Sequence, residues 1–491
     1  MQLTDLLIAV GLGLAWQVAA WFLNRPGKPR PNGAESRPQG LNGPSIRLWV
    51  LYVLSILAVY WLQPALPIRG LDFWLPTATL ILAAAGWALT AAPQEREWRR
   101  MLPGGLVLAG LVLLLGLTRY LSLSGILTAG RPPQAQWIAL VLLLAAGWIT
   151  LLLRKPRPGL LWAGIVILLG IFIVLKLPAL TGLAAVGLRV LAGQAVERAA
   201  GTDLRWLGFS YIAFRLIHTL RDRQTGRLPA CSLPEYLTYL VFFPALSAGP
   251  IDRLERFLKD LRAPLAAPAA DLAAALPRLA MGLFKKFVLA DLLALAALSP
   301  VNAGQIRTSG WMWLALYAYS LQIYLDFSGY TDLAIGIGRL FGIQLPENFK
   351  SPYLKPNLTQ FWNNWHMTLT QWFRAYFFNP LTRALRQAKR PLPAWGMILL
   401  TQLATFLLIG LWHGITWNFV LWGLWHGLGL FLQNRWTEFI RPRLAAANER
   451  PAVRTALTVV STLLTFHYVA LGWVWFALPL GQAISVFARL F

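Results

Sequence analysis

Trp137-Ile-Ala-Leu-Val-Leu-Leu-Leu-Ala-Ala-Gly-Trp-Ile-Thr-Leu-Leu-Leu153 holds no charge and one hydroxyl, Thr150, and it stops at Arg154, Lys155 and Arg157. An α-helix needs about 20 apolar residues to cross the hydrocarbon of a bilayer. Runs of this kind recur near 3–23, 46–66, 72–92, 102–120, 137–153 and 158–177, and a last one covers 456–478. The run at Leu3–Leu23 lacks a basic leading region and a cleavage site, so it reads as a span rather than a signal peptide. Of the 491 residues, 57% are hydrophobic and 13% charged, against about 25% charged in soluble domains. Composition thus excludes an array of soluble domains, a disordered chain and a coiled coil. The fold class is all-α, a polytopic membrane protein.

The 44 Lys and Arg outnumber the 19 Asp and Glu, for a net charge of +25. In a soluble chain that excess would suggest nucleic acid. Here the basic residues gather in short connections: Arg25, Lys28, Arg30, Arg37 and Arg47 in the first, Arg96, Arg99 and Arg100 in the third, Arg154, Lys155 and Arg157 in the fifth. Lysine and arginine hold connections on the cytoplasmic side, so these three are predicted inside and the N-terminus outside. One cysteine, Cys231, excludes an internal disulfide and a multi-cysteine metal site. Residues 1–200 contain few polar groups within their spans and read as a scaffold.

From residue 201 to about 440 the apolar runs are interrupted by Asp, His, Arg, Asn, Gly and Pro. Such groups are costly in lipid unless they face protein or water, which places the chemistry here; residues 441–491 form a basic connection and the last span. His413 lies in Phe406-Leu-Leu-Ile-Gly-Leu-Trp-His-Gly-Ile-Thr-Trp-Asn418. A neutral imidazole there can act as a general base on an alcohol, or it can be a hydrogen-bonded packing residue. His366 lies in Phe361-Trp-Asn-Asn-Trp-His-Met-Thr-Leu-Thr-Gln-Trp-Phe-Arg374. On one helix, Thr359, Asn363, His366 and Thr370 would form a polar stripe beside an apolar face that includes Trp362 and Trp365. That stripe can line a channel or serve interhelical hydrogen bonds. Asp326, in Tyr324-Leu-Asp-Phe-Ser-Gly-Tyr-Thr-Asp332, is predicted to be buried where Gly329 breaks a helix, as support. His426 reads as packing, and His218 and His467 belong to no constellation. The segment Phe242-Phe-Pro-Ala-Leu-Ser-Ala-Gly-Pro-Ile-Asp-Arg253 reads as a re-entrant turn or a span end.

In order along the chain, Phe243–Arg253, Gly282-Leu-Phe-Lys-Lys286, Asp326-Phe-Ser-Gly-Tyr330, Pro346-Glu-Asn-Phe349, Phe361-Trp-Asn-Asn-Trp-His366 and Leu411-Trp-His-Gly414 resemble the membrane-bound O-acyltransferase family. The resemblance implies a ring of transmembrane and re-entrant helices around a central tunnel. In that tunnel a cytoplasmic acyl thioester, carried by coenzyme A or a carrier protein, meets an acceptor from the far side. It makes His413 the catalytic histidine and places His366 in the same tunnel, where it polarises or positions the donor. Asp326, Asn363, Trp362, Trp365 and Thr370 would line or support it. It implies no bound cofactor and no metal. Its partners would be a donor or carrier protein inside and a polysaccharide or polymer outside, with a companion extracytoplasmic protein. Two branches are similar. Trp417-Asn-Phe-Val-Leu-Trp-Gly423 is similar to the polysaccharide O-acetylation proteins, whereas Ser247–Arg253 and Gly208-Phe-Ser-Tyr-Ile-Ala-Phe-Arg215 are similar to the teichoic-acid D-alanylation subunit. Either implies a multi-pass protein of a bacterial cell membrane. The rival from another class is a transporter or flippase with the histidines as proton relays.

Overall fold

A computed structural model describes residues 2–23, 45–121, 127–154, 158–264, 268–444 and 450–491. The basic connection at 24–44, with Arg25, Lys28, Arg30 and Arg37, lies outside the described residues, as do Lys155 and Arg157. Among the described residues there are helices and no strands, and seven helices are long and apolar enough to cross a membrane.

One compact unit comprises residues 1–280 and 332–346. It holds α1 (Leu3–Leu23), α2 (Ser45–Trp61), α3 (Leu71–Thr90), α4 (Trp98–Leu117), α5 (Ala135–Arg154), α6 (Pro158–Lys176), α7 (Pro178–Leu191), α8 (Phe209–Gln224), α9 (Leu233–Leu240) and α10 (Leu254–Arg262). The first six fall where the apolar runs predict them. The seventh, α7, is too short to register as a span. It begins on Pro178, whose missing N–H is harmless in a first turn. The α3 helix is the buried centre. Tyr60 and Thr77 share a 2.8 Å hydrogen bond, the Trp206 indole donates to Thr79 at 2.8 Å, and the Trp87 indole donates to the Cys231 carbonyl at 3.1 Å. By contrast α5 and α6 are largely exposed and carry charge only at their last residues, Arg154 and Lys176, as lipid-facing helices do. Arg189 of α7 and Asp203, in the connection to α8, form a buried 2.7 Å ion pair, and the guanidinium holds the Asp203 carboxyl below the usual carboxylate range.

Because α8 and α9 pack on α3, residues 201–280 belong structurally with the N-terminal spans rather than starting a new body at residue 201. Arg215 of α8 is 1% exposed and donates to the carbonyls of Tyr239, Leu240 and Ala245 at 3.2, 2.9 and 2.9 Å. The stretch that follows is the buried, irregular segment expected there: a short 3-10 turn at Phe243–Ala245 and then mostly non-helical backbone. His218 accepts the Leu254 N–H at 3.2 Å and pairs with Asp222 at 3.1 Å, so it anchors the start of α10.

The other unit comprises residues 281–331 and 347–491. The helix α11 (Pro268–Phe284) enters it and passes through a π-helical segment, Lys285–Ala290, into α12 (Asp291–Ala294). After α13 (Pro300–Gln305) comes α14 (Ser309–Leu340), 32 residues without a break. Two short helices follow, α15 (Leu358–Asn364) and α16 (Met367–Phe373), then a second π-helical segment, Arg374–Phe378, and α17 (Asn379–Arg386). The unit closes with α18 (Ala394–His413), α19 (Trp417–Phe439), α20 (Pro451–Ala477) and α21 (Leu480–Leu490).

The α18–α19 hairpin depends on glycine. A Cβ on Gly423 would lie 2.6 Å from the Phe406 carbonyl oxygen, and one on Gly427 would lie 3.1 Å from the Leu403 Cα. Small residues four apart let two membrane helices approach backbone to backbone. We expect Gly423→Ala to destabilise the protein by about 1–3 kcal/mol through overpacking. It should read as a lowered Tm in detergent, while Gly310→Ala on α14, where a Cβ meets nothing within 4 Å, leaves Tm unchanged or slightly raised.

Candidate active site

The segment expected to form one polar helical stripe is two helices. Helix α15 ends at Asn364, Trp365 is extended, and His366 sits at φ 43° and ψ 53° before α16 begins. A non-glycine residue held in that left-handed region costs about 1–3 kcal/mol and persists only where its surroundings enforce it. The enforcing element is the non-helical segment that carries Asn348. The Asn364 carbonyl accepts the Lys350 N–H at 3.1 Å, and the Asn348 carbonyl accepts the Met367 N–H at 2.9 Å. The break therefore has partners from a segment outside both helices.

This corrects the stripe. Thr359 is exposed, its N–H and hydroxyl donating to Gln433 at 2.9 and 3.1 Å. Asn363 is exposed too and accepts from Arg374 at 2.6 Å. The Thr370 hydroxyl donates back to the Trp362 carbonyl at 3.1 Å and so satisfies the end of α15. Trp362 and Trp365 are buried in an aromatic cluster. The Trp362 ring lies 5.0 Å from Phe406, 5.7 Å from Trp422 and 4.9 Å from His426, and Trp365 lies 5.1 Å from Trp473.

His366 is 4% exposed, with its ring edge-on to Phe327 at 4.7 Å and 6.4 Å from Trp412. Its Nδ1 is 3.1 Å from Asn348 Oδ1, and its Nε2 is buried with no hydrogen-bond partner among the described residues. His413 is the last residue of α18. Gly414 continues in extended backbone, and a Cβ there would come within 2.8 Å of the Phe419 ring. The half-buried His413 imidazole stacks on Phe419 at 5.8 Å and meets Trp422 at 5.5 Å and Phe476 at 4.8 Å. Asn418 fixes the start of α19 by donating to the Trp475 carbonyl at 3.2 Å. The structure thus brings both histidines into one aromatic assembly: Trp412 flanks His366 and directly precedes His413, and Trp422 touches His413, His426 and Trp362.

Asp326 is a second correction. It is not buried at a break, since α14 is continuous and the carboxylate is half exposed, 2.5 Å from Lys286. Gly329 serves contact instead: a Cβ on it would stand 2.9 Å from the Lys286 nitrogen and 3.0 Å from the Gly282 carbonyl, both backbone atoms. Asp326 lies in the middle of α14, and Lys286 lies in the π-helical segment after α11. A half-exposed carboxylate beside an ammonium belongs against water, not lipid. Sequence reasoning gave Asn348 and Lys286 no role of their own, although both stand in motifs that carried the family resemblance. Among the described residues, no three His, Cys, Asp or Glu side chains gather as a metal site.

These features define a multi-pass helical membrane protein whose ionisable groups converge on irregular backbone within the bundle. The chain belongs to the membrane-bound O-acyltransferase family, whose sequence profile matches residues 161–471. It is similar to a teichoic acid D-alanyltransferase of Streptococcus thermophilus, 31% identical over 48% of this chain and 58% of that one. A second teichoic acid D-alanyltransferase, from Bacillus subtilis, is 29% identical over 55% of this chain and 68% of that one. A probable alginate O-acetylase AlgI of Pseudomonas syringae pv. tomato is 34% identical over 55% of this chain and 48% of that one. The matches thus span about half to two thirds of these relatives' length. The transporter reading finds no support in them.

If the Lys286–Asp326 pair faces water, a cysteine placed at 326 in a Cys231→Ser background will react with a soluble maleimide. A cysteine at Ser328, buried on the same helix, should react more slowly by on the order of tenfold or more, since thiol reactivity follows exposure.

Proposed function

We propose that this protein is a membrane O-acyltransferase that moves an acetyl or D-alanyl group from a cytoplasmic thioester to a hydroxyl of a cell-envelope polysaccharide or polymer. The observation that carries the proposal is the convergence of His366 and His413 on one aromatic assembly, in a chain of the acyltransferase family. The donor would be acyl-coenzyme A or an acyl carrier protein. No bound cofactor is needed, because a thioester is already activated toward an alcohol.

His413 Nε2 or Nδ1 takes the acceptor O–H proton as the oxygen attacks the thioester carbonyl. The new C–O bond forms, the C–S bond breaks, and the proton held on His413 passes to the departing thiolate. The aromatic walls keep bulk water from competing for the thioester. Holding the two substrates in line can lower the barrier by about 7–11 kcal/mol. His366 acts on the bound substrates beside it. A tunnel joining the two membrane faces at this assembly, with Trp362, Trp365, Asn363, Thr370 and Asp326 along or behind its wall, completes the proposal. A companion extracytoplasmic protein would present the polymer. On this reading the protein resides in a bacterial cell membrane.

The test is thioester consumption by purified protein offered acetyl-coenzyme A and a D-alanyl carrier separately, each with polymer acceptor. His413→Ala should reduce turnover by about 10²–10⁴, the range for a positioned general base, with an unchanged Tm. Turnover near the unsubstituted level would remove His413 from the mechanism.

A further inference from the structure

We propose that Asn348 is a positioning residue that holds His366 in its Nδ1–H form, so that His366 meets substrate through Nε2 as a hydrogen-bond acceptor. The assignment of the accepting atom rests on geometry alone; its use in acyl transfer rests on the function proposed above.

Asn348 is fully buried, and its side-chain oxygen faces three groups at once: His366 Nδ1 at 3.1 Å, the Thr368 backbone N–H at 3.2 Å and the Thr368 hydroxyl at 2.9 Å. A backbone N–H can only donate. The atom of Asn348 that faces it must therefore be the amide oxygen, because the flipped amide would set one donor against another. An oxygen leaves His366 Nδ1 only one way to bond, by donating. In a neutral imidazole the proton on Nδ1 leaves Nε2 with a lone pair. That nitrogen is the one buried without a partner among the described residues.

The local fold explains why Asn348 does this. His366 occupies the residue before α16, where a side chain ordinarily caps the exposed N–H groups of the first turn. Its left-handed backbone turns the ring away, and it makes no such cap. Asn348 caps α16 from outside instead, its carbonyl taking the Met367 N–H and its side chain the Thr368 N–H. The imidazole is thereby released from structural duty and oriented by the same residue.

The consequence is a restriction on what His366 touches. A neutral ring in this form cannot donate to a thioester carbonyl, so the polarising role is closed to it. The group it faces is an O–H or N–H other than the proton His413 takes. That chemistry has two sources, a neighbouring hydroxyl of the polyhydroxylated acceptor or an amide N–H of the donor's arm.

Full-length protein carrying 15N-histidine, reconstituted in lipid nanodiscs, reads the tautomer directly from its ring-nitrogen signals, with His366→Gln identifying the residue. We expect Nδ1 protonated and Nε2 unprotonated at a pH where the protein turns over. Asn348→Leu should lose that signature and at least tenfold in kcat/KM. Asn348→Asp keeps the acceptor and the cap, so it should fold and retain Nδ1–H. Its added charge favours the imidazolium, so the acid limb of its pH profile should move to higher pH, a change that a purely structural role would not produce. The rise in KM caused by His366→Gln assigns the partner, falling on the polymer if a hydroxyl is bound and on the thioester if an amide is. An Nε2–H signal in the unsubstituted protein, or an unshifted pH profile in Asn348→Asp, overturns the proposal. An Nδ1–H signal together with normal turnover by His366→Gln would overturn the substrate contact and the proposed role of His366 in function, while the tautomer would stand.

Discussion

Backbone that leaves the helical path inside a membrane protein must find its hydrogen bonds from other protein segments, because hydrocarbon offers none. In the unit containing the N-terminal spans, Arg215 answers this for the carbonyls of Tyr239, Leu240 and Ala245. In the unit containing both candidate histidines, the segment around Asn348 answers it for Asn364, Met367 and Thr368. Without that second set, the peptide groups between α15 and α16 would be buried and unsatisfied, at about 1–3 kcal/mol each. A continuous helix would then be the cheaper state. The position of the His366 ring follows from this one exchange of hydrogen bonds.

His413 is placed by a different device. It ends α18, and α18 is held to α19 by contacts too close for any side chain at Gly410 or Gly423. Backbones in such contact leave little room for sliding, so the hairpin tip is fixed relative to its own helices. Large rings then complete the fixation. Trp422 reaches His413, His426 and Trp362 at once, and interdigitated aromatics of this size resist repacking because a displaced ring has no other space to enter.

The spans were legible because hydrocarbon thickness is a constraint on length and composition, which a sequence shows directly. The histidines stood out as candidates because an ionisable group in an apolar run is costly and therefore informative. The break at Trp365 and His366 was not. Residues 358–373 fit helical periodicity throughout, and the cause of the break, Asn348, is 18 residues before His366. Asp326 was misplaced for the same reason, since its partner Lys286 is 40 residues away. At Gly329 the ambiguity lies in the residue itself, as glycine suits both a broken helix and a close contact. The spacing of Gly423 and Gly427 was visible in the sequence, and only its structural use had to be seen in three dimensions.

Four of the five histidines separate by how their nitrogens are used. His218 donates to Asp222 and accepts from Leu254, and His467 donates to the Leu463 carbonyl and accepts from Tyr317; both are fully satisfied. Such a residue fastens elements together. His366 spends one nitrogen on Asn348 and keeps the other open, while His426 is fully buried among Trp362, Trp422, Tyr468 and Trp473 with neither nitrogen bonded to the protein. Trp362 and Trp422 likewise carry buried indole N–H groups without partners among the described residues. In a low-dielectric interior an unsatisfied polar atom is expensive, and several in contact with one another are more so. Folding alone would favour phenylalanine or leucine at these positions. His426, Trp362 and Trp422 are in mutual ring contact and Trp422 also meets His413, so these polar atoms lie beside the candidate catalytic histidine.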